Sequence, residues 1–142
     1  MTKQTAERKG RPFTVRLSPV VEQWIEQEAS RNRRAKSVVM EDLLDEAIRV
    51  RRFPGLAFRG PAHDRRAWLL GTALDVWEVI EAYQGMGADR LRAEGDLQEE
   101  QLRLAISYYQ QFPEEIDRAI TENRRAEGEW HALYPAVIPA AT

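Results

Sequence analysis

The chain has 142 residues, of which 31% are charged and 43% are hydrophobic, and its formal net charge is −2. This composition is typical of a folded protein with one or two small domains, and it excludes a disordered chain. The absence of cysteine excludes disulfide bonds and cysteine-based metal sites. No apolar run approaches the roughly 18 residues that a membrane span needs, so we expect a cytoplasmic protein.

The charges are unevenly distributed along the chain. Residues 1–53 hold 12 Lys and Arg against 8 Asp and Glu, whereas residues 54–142 hold 9 against 15. A basic front and an acidic back favour two modules with different partners. The alternative is that these are ordinary solvating charges.

Residues 1–10 are polar and predict a flexible arm, and a strand with two amphipathic helices follows in residues 11–53. Phe13, Val15 and Leu17 alternate with Thr14 and Arg16, as in a strand with one apolar face. Ser18 and Pro19 suit the start of a first helix, and Ser37 suits the N-cap of a second. Because a lone strand leaves its backbone unpaired, we expect it to pair with the same strand of a second chain, which makes a homodimer.

This order resembles the ribbon-helix-helix family of bacterial DNA-binding proteins, through Phe13-Thr14-Val15-Arg16-Leu17-Ser18 and Ala35-Lys36-Ser37. The resemblance implies a two-stranded ribbon in the major groove, with Thr14 and Arg16 facing the bases. Pro12, at the ribbon's edge, departs from the longer polar residue that is usual there. The alternative is that Thr14 and Arg16 are only the solvated face of a dimerisation strand. The predicted DNA-binding residues, including phosphate contacts and the start of the second helix, are Lys9, Arg11, Pro12, Thr14, Arg16, Arg33, Arg34, Lys36 and Ser37.

A second module is predicted after Phe53-Pro54-Gly55, which ends the second helix, and a linker over residues 54–64. Arg65–Thr72 is predicted as a short strand and a tight turn, although Ala67–Leu70 could equally begin a helix. Asp75 suits the cap of the next helix. A short helix is predicted from Asp89 and a longer helix from Leu97. Pro113 suits the first turn of a last helix, which is predicted to fray near Gly128. The predicted inward side chains of the longer helix are Leu102, Ala105, Ile106 and Tyr109.

The segment from Arg66 to Trp77 resembles the Gly-Thr-x-x-x-Val-Trp segment of a VapB-like antitoxin domain, which belongs to a small bacterial domain family of unknown function. Leu102–Tyr109 fits the later helix of that family, which ends in an Ala-x-x-Tyr-Tyr pattern, and Pro113-Glu114-Glu115-Ile116-Asp117 fits its extension. The resemblance implies a helix-turn-helix-like domain over residues 65–125, found mostly in antitoxins beside PIN-like ribonuclease toxins. The acidic start of the predicted reader helix, Glu99-Glu100, disfavours DNA contact here, so we interpret this domain as a scaffold or partner-binding body.

Residues 126–142 are too apolar for a plain linker, and Pro135 and Pro139 forbid a long helix. This extended C-terminal tail either folds back onto the core or stays extended until a partner offers a groove. Under the antitoxin interpretation, Arg124 or Arg125, just ahead of this tail, would enter the acidic metal-binding pocket of a PIN-like toxin and pair with its carboxylates. The predicted toxin-binding residues are Arg124, Arg125, Trp130, Leu133, Tyr134, Val137 and Ile138.

An enzyme is the competing class, but its signals are weak. His63-Asp64 are adjacent on a predicted loop and do not orient each other, and the sequence shows no phosphate-binding loop or metal-ligand cluster. We therefore expect no catalytic residues, no metal and no cofactor. The sequence predicts a mainly α, homodimeric antitoxin that binds operator DNA and neutralises a PIN-like ribonuclease. The alternatives are a dimeric repressor without a toxin partner, and a pure inhibitor whose N-terminal segment only dimerises.

Overall fold

A computed structural model describes residues 10–134 of the chain, and in these residues the fold is mainly helical. Six helices and one short two-stranded antiparallel hairpin, which lies between the second and third helices, make up the regular structure of this range. None of the helices in residues 10–134 is long and apolar enough to cross a membrane. The chain divides into two compact units between Asp42 and Leu43. The mainly helical class predicted from the sequence is confirmed.

The first helix, α1 (Pro19–Asn32), begins as its sequence predicts. The hydroxyl of Ser18 accepts the N–H of Val21 at 3.4 Å, and Pro19 occupies the first turn, where it needs no backbone donor. Arg33 ends the helix in the left-handed conformation, with φ of 52°. Its N–H reaches the last free carbonyls of the helix, so the cap is satisfied without a glycine.

The second helix, α2 (Lys36–Arg52), begins two residues earlier than a Ser37 N-cap predicts. The N–H of Val39 donates to the carbonyl of Ala35 at 3.1 Å, so the first turn of the helix already includes Ser37. Ser37 is therefore an exposed residue inside the first turn, and the predicted N-cap role for it is wrong. The helix ends before Phe53 and the Pro54-Gly55 turn, as the sequence predicts.

The predicted ribbon strand, Phe13–Leu17, is neither helix nor strand in the single chain that the structure describes. A β-strand needs backbone partners, and the predicted partner belongs to a second chain. The paired ribbon therefore stays a prediction.

The hairpin consists of β1 (Leu56–Arg59) and β2 (Arg66–Leu69), which pair antiparallel from Leu56↔Leu69 to Arg59↔Arg66. Strand β2 confirms the strand that the sequence predicts, and the helical alternative for this segment is wrong. Strand β1 lies inside the segment predicted as a linker, so the sequence analysis missed it. Four residues between a Pro-Gly turn and a Gly-Pro pair are too few to show a clear alternation.

The unit that begins at Leu43 has one hydrophobic core, built from the hairpin and four helices. The helices are α3 (Val76–Met86), α4 (Ala88–Glu94), α5 (Glu99–Gln111) and α6 (Pro113–Leu133). On α5 the fully buried aromatic residue is Tyr108, whereas Ile106 and Tyr109, which were predicted to point inward, are only half-buried. The largest fully buried side chains of the core are Tyr108, Leu56, Leu69, Ile80, Val76 and Val79.

The last turn of α2 is anchored in this core through Arg49. Its guanidinium donates to the hydroxyl of Tyr108 at 2.8 Å and to Glu115 at 3.1 Å, and it lies 3.8 Å from the centre of the Phe112 ring. The Tyr108 hydroxyl donates in turn to Glu115. Burial, together with this carboxylate, raises the pKa of Tyr108 above its usual range. The hydroxyl therefore stays protonated and can keep donating to Glu115.

Helix α6 continues through Gly128 to Leu133, so the prediction that it frays at Gly128 and gives way to an extended tail is wrong for residues 128–133. A single glycine costs a helix about 1 kcal/mol relative to alanine. The strong helix formers on both sides offset that cost, and Arg125 forms an i,i+4 ion pair with Glu129 across it at 3.0 Å. Residues 135–142, including Pro135 and Pro139, lie outside the described residues.

Candidate nucleic-acid interface and partner-binding helix

The predicted base-contacting residues lie in the irregular segment before α1. Arg11, Pro12, Thr14 and Arg16 are all exposed there, and Thr14 and Arg16 alternate with Phe13 and Val15 along the chain. Phe13 is 83% exposed and Val15 is 53% exposed. Both faces of the segment are therefore open in the single chain, and Lys9 lies outside the described residues.

The predicted phosphate-contacting residues cluster at the turn between α1 and α2. Arg33 is exposed at the end of α1, and Arg34 forms an ion pair with Asp42 at 2.5 Å. The ammonium of Lys36 lies 3.1 Å from Glu22 and 3.4 Å from Glu26. The structure thus brings these basic residues together, but it also places carboxylates beside two of them.

The carboxylates of α1 change the electrostatics of Lys36. A hydrogen bond to Glu22 is the largest influence and, with the charge of Glu26, it raises the pKa of the Lys36 ammonium. Lys36 therefore stays charged, as a phosphate ligand must. The sequence analysis missed both glutamates, although their spacing of four residues on a predicted helix was a visible signal that they share a face.

Helices α1 and α2 have unusually little buried apolar surface. Each has one buried residue, Ile25 in α1 and Val39 in α2. Trp24 is 64% exposed. The large apolar side chains that these two helices leave exposed are Val20, Val21, Trp24, Val38, Leu43, Leu44, Ile48 and Val50. Val20, Val21, Trp24 and Val38 belong to the unit that ends at Asp42 and the other four to the unit that begins at Leu43, and several exposed apolar side chains on one helix are typical of an interaction site.

The predicted toxin-binding residues that the structure describes lie at the end of α6. Arg124 forms an ion pair with Glu81 of α3 at 3.1 Å, whereas Arg125 pairs with Glu129 on its own helix. Trp130 and Tyr134 contact each other, with ring centres 5.0 Å apart. Both are about half exposed, and Leu133 is 72% exposed. Val137 and Ile138 lie outside the described residues.

A cluster around Asp75 was missed by the sequence analysis. Asp75 is only 4% exposed and accepts hydrogen bonds from Arg59 of β1 at 2.7 Å and Arg66 of β2 at 2.9 Å. Glu78 accepts the backbone N–H of Asp75 at 2.7 Å, which caps α3. Finding this cluster required the hairpin register, because Arg59 and Arg66 become neighbours only when β1 pairs with β2.

An open cleft of about 710 Å³ adjoins this cluster. Its lining carries both signs of charge, including Arg118 and Glu122 of α6, and Asp75 itself is satisfied by two arginines. The arrangement offers no activated nucleophile or oriented acid-base pair. We therefore interpret the Asp75 cluster as a structural link between the hairpin and α3.

No protein-family model, no curated protein and no solved structure matches this chain. The two family resemblances therefore stay predictions. Within residues 10–134, no group of three or more His, Asp and Glu side chains is arranged to hold a metal ion.

Proposed function

We propose that the protein is a homodimeric DNA-binding antitoxin whose N-terminal segment and first two helices associate with a second copy. The observation that carries the proposal is the exposure of large apolar side chains on α1 and α2, which bury only Ile25 and Val39. Removing such surface from water stabilises an assembly by about 25 cal/mol per Å² of apolar area. A second copy of the same surface, with Phe13–Leu17 paired as a two-stranded ribbon, would bury it and satisfy the strand backbone.

In the proposed dimer, the ribbon enters the major groove of operator DNA. Thr14 and Arg16 would lie on the face opposite Phe13 and Val15, so they would read base edges while the apolar residues pack inward. Arg33, Arg34 and Lys36 would contact phosphates beside the groove. The basic balance of residues 1–53 supports this assignment.

The end of α6 is the proposed binding element for a PIN-like ribonuclease. Trp130 and Leu133 are exposed on α6 and Tyr134 is exposed directly after its last residue, so the mode we propose is a helix in a groove rather than an extended segment. Within residues 10–134 the ion pair of Arg125 is with Glu129 of its own helix, whereas Arg124 pairs with Glu81 of α3, so Arg125 is better placed to pair with carboxylates of the toxin. The alternative, a repressor without a toxin, leaves this exposed end unexplained.

Replacing Arg16 with alanine tests the DNA-binding proposal. We expect the affinity for duplex DNA from the protein's own promoter region to fall by about 1–3 kcal/mol, with reduced discrimination against unrelated duplexes. Arg103→Ala is the matched control, because Arg103 is an exposed arginine on α5 that pairs with Glu99. Gel retardation over a series of salt concentrations measures both effects. Unchanged affinity and specificity in Arg16→Ala would show that the ribbon does not read DNA.

Co-expression with the neighbouring gene product tests the antitoxin proposal. We expect a stoichiometric complex without ribonuclease activity, and loss of that complex when Trp130 and Leu133 are both replaced with alanine. The matched control is Glu122→Ala with Glu127→Ala, which changes two polar positions of the same helix. Recovery of the protein alone, still bound to its promoter DNA, would favour the repressor.

A further inference from the structure

The unit that contains α1 holds carboxylates against the cations that are proposed to contact phosphate. We propose that Glu22 and Glu26 compete with DNA for Lys36 and thereby lower the protein's affinity for DNA. This inference rests on the proposed DNA binding and adds to it an internal competitor, built into α1. DNA binding would then depend on whether a phosphate can displace these two carboxylates from Lys36.

The ion pairs of Lys36 with Glu22 and Glu26 use the N–H donors that a phosphate would need. Glu22 and Glu26 lie one helical turn apart on α1, and each places an oxygen within hydrogen-bond distance of the Lys36 ammonium, at 3.1 Å and 3.4 Å. An ammonium has three N–H donors, so the two carboxylates occupy two of them. A phosphate oxygen needs the same donors and the same positive charge. Lys36 therefore cannot fully serve both partners at once.

The competition is expected to be partial rather than complete. The Lys36 side chain is 40% exposed, and those of Glu22 and Glu26 are 51% and 60% exposed. Exposed ion pairs of this kind are weak and are screened by salt, so a phosphate can displace them. Relative to a protein whose Lys36 has no carboxylate partners, we expect the two glutamates to lower the DNA affinity roughly two- to fivefold per chain and roughly tenfold per dimer.

The repulsion between carboxylates and the DNA backbone acts in the same direction but is separable. It depends on charge alone and does not require contact with Lys36. Removing two carboxylates elsewhere on α1 and α2 changes the net charge equally while leaving the Lys36 pairs intact. Glu28 and Glu41 suit this purpose, because neither forms an ion pair with Lys36 within residues 10–134.

The experiment compares Glu22→Gln with Glu26→Gln in one variant and Glu28→Gln with Glu41→Gln in the control. Both use the full chain and promoter duplex DNA, with Kd measured by fluorescence anisotropy over a series of salt concentrations. Glutamine keeps the length of the side chain and its preference for helix, so both variants are expected to fold. We expect the first variant to bind about tenfold tighter than the wild type and several-fold tighter than the control. Its dependence on salt should also steepen by about one to two phosphate contacts per dimer.

Adding Lys36→Gln to both variants isolates the mechanism. If Glu22 and Glu26 act through Lys36, the advantage of the first variant over the control disappears in the Lys36→Gln background. Equal affinities of the first variant and the control, with wild-type binding intact, would overturn the inference and leave the proposed function standing. An advantage that persists without Lys36 would also overturn it. A wild-type protein that binds no duplex at low salt would overturn the proposed function and the inference together.

Discussion

Asp75 shows how one buried carboxylate organises its surroundings. It receives one guanidinium from each strand of the hairpin, and its own N–H is capped by Glu78 at the start of α3. The Arg59 guanidinium also donates to the carbonyl of Ala73 at 2.9 Å and lies 5.1 Å from the Trp68 ring. Because Asp75 is buried while both arginines are partly exposed, the carboxylate depends on these pairs more than the arginines do.

Asp75→Asn is therefore expected to destabilise the protein. Removing the charge leaves two guanidiniums facing a buried neutral amide, and we expect a loss of about 2–4 kcal/mol in the free energy of unfolding. Asp64→Asn is the control, because Asp64 pairs with the same Arg66 but is 57% exposed, and its loss should be below about 1 kcal/mol. Urea unfolding followed by circular dichroism measures both. Equal effects of the two substitutions would show that burial of Asp75 is unimportant.

Local capping signals in the sequence were good predictors of single elements. Ser18-Pro19 marks the start of α1, and Pro54-Gly55 marks the end of α2, because each signal acts within one turn of the chain. Strand β1 was not predictable in this way, since its four residues are stabilised by pairing with β2. The carboxylates beside Lys36 likewise depend on a contact between two elements, because the turn that joins α1 to α2 brings Lys36 to Glu22 and Glu26.

The continuity of α6 through Gly128 predicts that alanine is tolerated at this position. A Cβ at Gly128 would meet nothing within 4 Å, and its backbone is helical. Gly128→Ala should therefore stabilise the end of α6 by about 0.5–1 kcal/mol, seen as slower amide exchange in residues 126–133.

Gly87 provides the contrasting substitution. A Cβ added at Gly87 would also meet nothing within 4 Å, but the φ of +80° is unfavourable for any residue with a side chain. Gly87→Ala should lower the free energy of unfolding by about 1 kcal/mol.

For Gly128→Ala, faster amide exchange in residues 126–133 than in the wild type would argue against a continuous α6.

The whole chain combines two units with different surface properties. The unit that begins at Leu43 has a core of its own, with six large side chains less than 2% exposed. The unit that ends at Asp42 has one buried residue in α1 and exposes Phe13, Trp24 and Val38. A unit with so little internal burial is not expected to be stable alone, and this is why association is central to our account.

Trp24→Glu is expected to prevent that association. A charge at this exposed apolar position would have to be buried without a partner in the proposed interface. Gln23→Glu is the control, because it adds the same charge at the neighbouring exposed position on α1. Both variants should retain the folded core of the unit that begins at Leu43, which near-ultraviolet circular dichroism can verify.

The mass of the protein in solution, measured by sedimentation equilibrium, tests the proposed homodimer. We predict twice the chain mass of 16.4 kDa for the wild type and for Gln23→Glu, and a value near the single-chain mass for Trp24→Glu. A wild-type protein that sediments at 16.4 kDa at micromolar concentration would contradict the proposed dimer.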